Sequence, residues 1–153
     1  MRGLASAVFV CLLASSAWAE CVDTSVELRG DWGETRFDIE LADTPEERSQ
    51  GLMFVPAMRA DAGMLFVYER PQRAVFWMKN TLIPLDMVFT DRSGRVTHVH
   101  HDAIPGDLTG IDGGDNVYAV LEINAGLARE FGIVPGSEMR HAVFASGPAA
   151  WPC

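Results

Sequence analysis

The sequence predicts a β-rich α+β fold, an antiparallel β-sandwich or partly open barrel carrying two short helices. Three observations lead there. Short apolar or alternating segments recur at close intervals, Gly, Pro and Asp turn signals separate them, and no strand–helix–strand alternation repeats along the chain. Without internal repeats or a linker, the elements form one domain.

The chain opens on a segment of a different kind. Arg2 precedes an apolar run over residues 4–14, and Ala17-Trp18-Ala19 offers the small residues a signal peptidase requires. Residues 1–19 are therefore expected to be a cleaved signal peptide and residues 20–153 the mature domain. The run is too short for a mature membrane-spanning helix, and no later segment is long and apolar enough to span. Cys21 follows Glu20 rather than a small residue, which argues against lipidation.

Alternation then takes over. In residues 36–41 the odd positions, Phe37, Ile39 and Leu41, are apolar and the even ones charged, the pattern of a strand with one wet face. Thr44-Pro45-Glu46-Glu47 predicts a helix start: Thr44 caps, Pro45 tolerates the first helical position, and Glu47 completes a capping box. The helix should stop near residues 51–53. Apolar runs at 63–68, 74–78 and 85–90 read as buried strands, the last closed by the turn Asp91-Arg92-Ser93-Gly94. Residues 95–101 resume extended structure, and the Gly- and Asp-rich residues 105–116 read as a surface loop. A strand at 117–123, a short helix at 125–131 stopped by Gly132, and a last strand at 139–144 complete the set.

Composition excludes some partners. Without its leader the chain carries 11 basic and 21 acidic residues, a net charge of −10. Such a domain repels phosphate backbones, so nucleic acid is not an expected partner. Lys79 is the single lysine. Cys11 leaves with the leader, and Cys21 and Cys153 at the two mature ends are expected to pair in an oxidising compartment. The absence of a Cys-x-x-Cys pair removes support for a thioredoxin-like role.

Several segments together carry a resemblance: Thr44-Pro45-Glu46-Glu47-Arg48 leading to Gly51-Leu52-Met53, Gly63-Met64-Leu65-Phe66, and Phe76-Trp77-Met78-Lys79-Asn80-Thr81 with Pro84-Leu85-Asp86. Val120-Leu121-Glu122-Ile123, Ala125-Gly126, Gly132-Ile133 and Gly136 extend it. From about residue 37 to 143 the chain resembles the domain of unknown function 192 family. The resemblance implies a compact β-rich fold and no established activity. Many members carry cysteines in the loop that corresponds to residues 105–116, which has none here.

The candidate ligand-binding residues are Trp77, Lys79, Asn80 and Asp86. Asp86 lies inside an apolar strand, where an unpaired carboxylate is expensive. If strands 74–78 and 85–90 form a hairpin, Lys79 and Asp86 meet near its closed end, either as a structural ion pair or as a pocket with Trp77 for a wall. Met53, Met64 and Met78 suit Cu(I) but also ordinary core packing. His98 and His100 share a strand face, and a metal would need a third ligand from His141, Asp102 or Glu122. Glu122, sharing a face with Tyr118 and Val120, is expected to be partly exposed. Nucleophile elbows, zinc-protease motifs and phosphate loops are lacking.

The sequence thus favours an exported, non-catalytic monomer that binds a small ligand or an envelope protein and needs no cofactor. A periplasmic or secreted copper- or zinc-binding protein using Met or His ranks second, and a small hydrolase third.

Overall fold

The computed structural model describes residues 21–153, and the expected signal peptide, residues 1–19, lies outside the described residues. A curled seven-stranded sheet forms the body, with strand order β6-β5-β8-β3-β2-β1-β9. Its strands are β1 (Ser25–Gly30), β2 (Gly33–Ala42), β3 (Ala62–Gln72), β5 (Leu85–Thr90), β6 (Val96–Ala103), β8 (Val117–Asn124) and β9 (Glu138–Arg140). Two-residue strands β4 (Val75–Phe76) and β7 (Ile111–Asp112) make a second, small sheet. Helices α1 (Pro45–Gln50) and α2 (Leu127–Phe131) and a 3-10 turn (Ala142–Phe144) complete the chain. Of the two expected architectures, a sandwich or a partly open barrel, the β-rich half-barrel is the observed one.

Local chemistry explains several elements as read. Thr44 caps α1 reciprocally with Glu47: the Glu47 N–H donates to Thr44 Oγ1 at 3.2 Å, and the Thr44 N–H donates to Glu47 Oε2 at 3.1 Å. Gly51 ends the helix at φ 48°, where a side chain would be strained. Phe37 and Ile39 are buried on β2 while their charged neighbours face water.

Other elements depart from the sequence reading. Strand β1 begins ahead of the first expected alternation, and its inward residues Val26 and Leu28 are completely buried. The pairing is not wholly antiparallel, because β2 and β3 run parallel, joined through α1 and the segment after it. One such crossover is enough to make the sheet mixed, although strand–helix–strand units do not repeat. The expected hairpin of 74–78 with 85–90 does not form. Residues 75–76 pair instead with Ile111–Asp112, so the glycine-rich loop supplies a strand of its own. The last strand stops at Arg140, where the His141 ring accepts from the Val143 N–H and starts the 3-10 turn.

Each face of the sheet carries a core. One contains Val26, Leu28, Phe37, Leu65, Leu121 and Ile123, covered by α2 and the C-terminal segment. The other contains Leu52, Phe66, Met78, Met87, Phe89 and Val120, covered by the segments around α1 and the small sheet. Phe76 joins that second core edge-to-face with Phe66 and Phe89, at 5.2 and 5.8 Å between ring centroids. Such contacts add about 0.5–1.5 kcal/mol each beyond burial.

Cys21 and Cys153 are bonded across a sequence separation of 132 residues. Near this staple, Trp151 lies between the Arg29 and Arg140 guanidinium groups, at 4.4 and 4.5 Å from its ring. Among the described residues no helix is long and apolar enough to cross a membrane.

Candidate functional site

Strand β8 lies between β3 and β5 and is covered on both faces. Its side chains alternate, so Leu121 and Ile123 enter the first core while Val120 enters the second. Glu122 follows the phase of Val120, and Met64 on β3 and Met87 on β5 are its register partners. The Glu122 side chain is therefore carried under the segments of α1 and residues 76–81, and the residue is only 5% exposed. The sequence expectation of partial exposure is corrected: a covered central strand has no wet face.

Close strand approach helps hold this position. A Cβ at Gly63 would stand 2.7 Å from the Glu122 carbonyl oxygen, so β3 meets β8 here only because residue 63 lacks a side chain.

Glu122 opens onto a cavity of about 40 Å³ whose lining includes Arg48, Phe66, Phe76, Trp77, Lys79 and Thr81. Among the described residues its carboxyl has no hydrogen-bond partner. Burial alone pushes its pKa up to about 8, so the acid form prevails at neutral pH. Arg48 donates to the Val67 carbonyl at 2.8 Å and lies over the Tyr68 ring at 5.3 Å. Desolvation is also the main reason the Tyr68 hydroxyl is pushed above its ordinary range.

Trp77 is half exposed at the cavity mouth, with Lys79 Nζ 5.0 Å from its ring centroid. The strip bearing them is pinned on two sides. The Met78 N–H donates to the Asp107 carbonyl at 2.9 Å, and the Phe54 N–H donates to the Asn80 carbonyl at 2.8 Å. Both Phe54 and Asn80 have left-handed backbones, at φ 65° and 56°. Asn adopts that region readily, whereas for Phe it is a local strain.

Asp86 does not join them. Its Cα partner on β8 is Ile123, one step from the Met87–Glu122 pair, so its side chain faces the first core. One carboxylate oxygen accepts from the Asp102 N–H and the other from the Ala128 N–H, each at 2.9 Å. The expected Lys79–Asp86 pair is not formed, because the sheet lies between them and two backbone donors already satisfy the carboxylate. Trp77, Lys79 and Asn80 thus share one region, and Glu122, not Asp86, is the acid beneath it.

The methionines and histidines disperse. Met53 accepts a long 3.8 Å contact from Asn80 Nδ2, Met64 flanks Glu122, and Met78 is buried. His98 packs on Phe89, while His141 is buried against the Asp23 carbonyl. Desolvation keeps the pKa of His100 and of His141 below the ordinary value. No group of three His, Cys, Asp or Glu among the described residues is arranged to hold a metal.

The model of one protein family matches residues 26–141, a span that holds Glu122, Trp77 and Lys79 together with all nine strands except the first residue of β1. The chain belongs to the DUF192 family. Its members are described as uncharacterized ACR, and the matched span begins earlier than the resemblance in sequence, taking in β1. A solved structure of a protein of unknown function from Novosphingobium aromaticivorans is 40% identical to this chain. That alignment covers 76% of this chain and 83% of the other, with a TM-score of 0.74. A second, from Sinorhizobium meliloti, is described as a proposed transcription regulator. It is 35% identical and aligns over 83% of this chain and 99% of its own, with a TM-score of 0.77. No curated protein matches the chain.

Proposed function

We propose that this DUF192 member is an exported, non-catalytic binding domain that takes a small polar ligand in the cleft between Trp77, Lys79 and Glu122. The observation that carries the reading is Glu122, a carboxyl group buried to 5% exposure, without a hydrogen-bond partner among the described residues, and lining a small cavity. Buried polar groups are nearly always hydrogen-bonded, and a molecule in the cavity would supply the bond that Glu122 lacks within the described residues. Trp77 adds a flat apolar wall beside the cavity, so a small end group of a ligand could enter while the rest lies against the ring.

Export is supported by the leader-like residues 1–19 and by the Cys21–Cys153 bond, which belongs in an oxidising compartment. The excess of acidic side chains argues against carrying over the transcription-regulator description of the Sinorhizobium protein. A metal reading has less support, since the histidines and methionines do not converge.

The test is a nuclear magnetic resonance screen of small polar compounds against residues 20–153, with Trp77→Ala and Glu122→Gln as controls. Shifts centred on residues 76–81 and 122, weakened in Trp77→Ala, are expected. Compounds that bind Trp77→Ala as tightly as the unaltered protein would overturn the assignment.

A further inference from the structure

We infer that the cavity over Glu122 receives the carboxylate end of a small organic acid, held between the Lys79 and Arg48 cations and the Glu122 carboxyl. The inference rests on the binding reading above and gives its ligand a chemical class.

Size is the first argument. The cavity measures about 40 Å³. A liquid water takes about 30 Å³, so only an end group as small as a carboxylate fits. Charge is the second. Arg48, Lys79 and Glu122 are the ionisable residues of the lining, and Lys79 is the only lysine of an otherwise acidic chain. A buried carboxyl without a partner keeps its proton. With Glu122 protonated, the charged side chains left in the lining are Arg48 and Lys79, on a protein whose remaining charge is strongly negative. Chemistry is the third argument. A protonated Glu122 offers an O–H donor, and a ligand carboxylate is an acceptor that two neighbouring cations neutralise. Phe66, Phe76 and Trp77 supply apolar surface for the rest of the molecule.

The groups facing Glu122 agree with this assignment. Helix α1 brings Arg48, β3 brings Tyr68 and the uncharged Met64, β5 brings Met87, and the 76–81 strip brings Lys79. Glu69, the nearest acid to Arg48 at 3.9 Å, is 82% exposed and outside the lining. Once Glu122 ionises, two carboxylates would share one small cavity, so affinity should fall about tenfold for each pH unit above its titration.

The experiment compares butyrate, butylamine and butyramide by nuclear magnetic resonance titration of residues 20–153, at about pH 6 and about pH 9. Butyrate should shift resonances of residues 77–81 and 122 at the lower pH and bind about tenfold or more weakly at the higher one. Lys79→Gln should weaken it about tenfold, while Glu122→Gln should keep binding and lose the fall at high pH. Should Glu122→Gln fail to fold, the wild-type pH profile and Lys79→Gln still decide. Preferential binding of butylamine, rising with pH, would overturn the carboxylate class and leave the cleft standing. Butyrate affinity unchanged in Lys79→Gln or between the two pH values would also overturn it. Failure of all three probes to perturb these residues would overturn the ligand class, and failure of the broader screen as well would remove the cleft.

Discussion

Asp86 and Glu122 stand one register step apart on neighbouring strands, and their carboxyl groups face opposite sides of the same sheet. The two acids therefore have different chemistry. The Asp86 carboxyl accepts from two backbone N–H groups, whereas the Glu122 carboxyl has no hydrogen-bond partner among the described residues and is pushed by burial toward its acid form.

Asp86 is expected to matter for folding. It joins β5 to the left-handed Asp102 and to the first turn of α2. In Asp86→Asn the amide NH2 would confront one of the two backbone donors, and that hydrogen bond to a buried side chain would be lost. The expected cost is about 3 kcal/mol. Urea denaturation measures it, and an unchanged midpoint would contradict the role.

Glu122 should make the protein less stable as pH rises. Its folded pKa of about 8 lies above the ordinary 4.5, so between those values the folded state holds more protons than the unfolded one. Stability should fall on going up through that window and level off above it, by an amount on the order of a few kcal/mol. Glu122→Gln should flatten this slope. Denaturation midpoints measured from acid to mildly alkaline pH provide the check, and parallel curves for the two proteins would refute it.

The Cys21–Cys153 bond closes a loop spanning 132 residues. In the chain-entropy account its removal costs about 5 kcal/mol, less any relief of native strain. Comparing the Cys21→Ser, Cys153→Ser double variant with the oxidised protein should show a drop in stability of at least ~2 kcal/mol, the lower end of typical values. A negligible difference would mean that the tails are held by Trp151 and its arginines alone.

Gly63→Ala probes the close approach of β3 and β8. The added methyl would meet the Glu122 carbonyl oxygen at 2.7 Å, backbone against side chain, with no rotamer to relieve it. Strand separation should cost about 1–3 kcal/mol. Thermal unfolding would register the change, and wild-type stability would show that the strands can part freely.

Much was legible in the sequence because it is local. The helix box at Thr44 and Glu47, the wet-faced strand around Phe37 and the turn chemistry each depend on residues within a few positions. The pairing of Cys21 with Cys153 followed from their number and place. The Trp77-Met78-Lys79-Asn80 strip was also visible as a unit, since its members are consecutive. Its acidic companion was not. Both Asp86 and Glu122 are carboxylates inside apolar strands, and periodicity alone does not say which sheet face each one enters. Register and sheet order decided that: β8 lies between β3 and β5, covered on both sides, which turned Glu122 into a buried acid below Trp77 and sent Asp86 to the other core. The parallel β2–β3 pair and the β4–β7 sheet were likewise beyond the sequence, because strand partnership is set by long-range packing rather than by the residues of either strand alone.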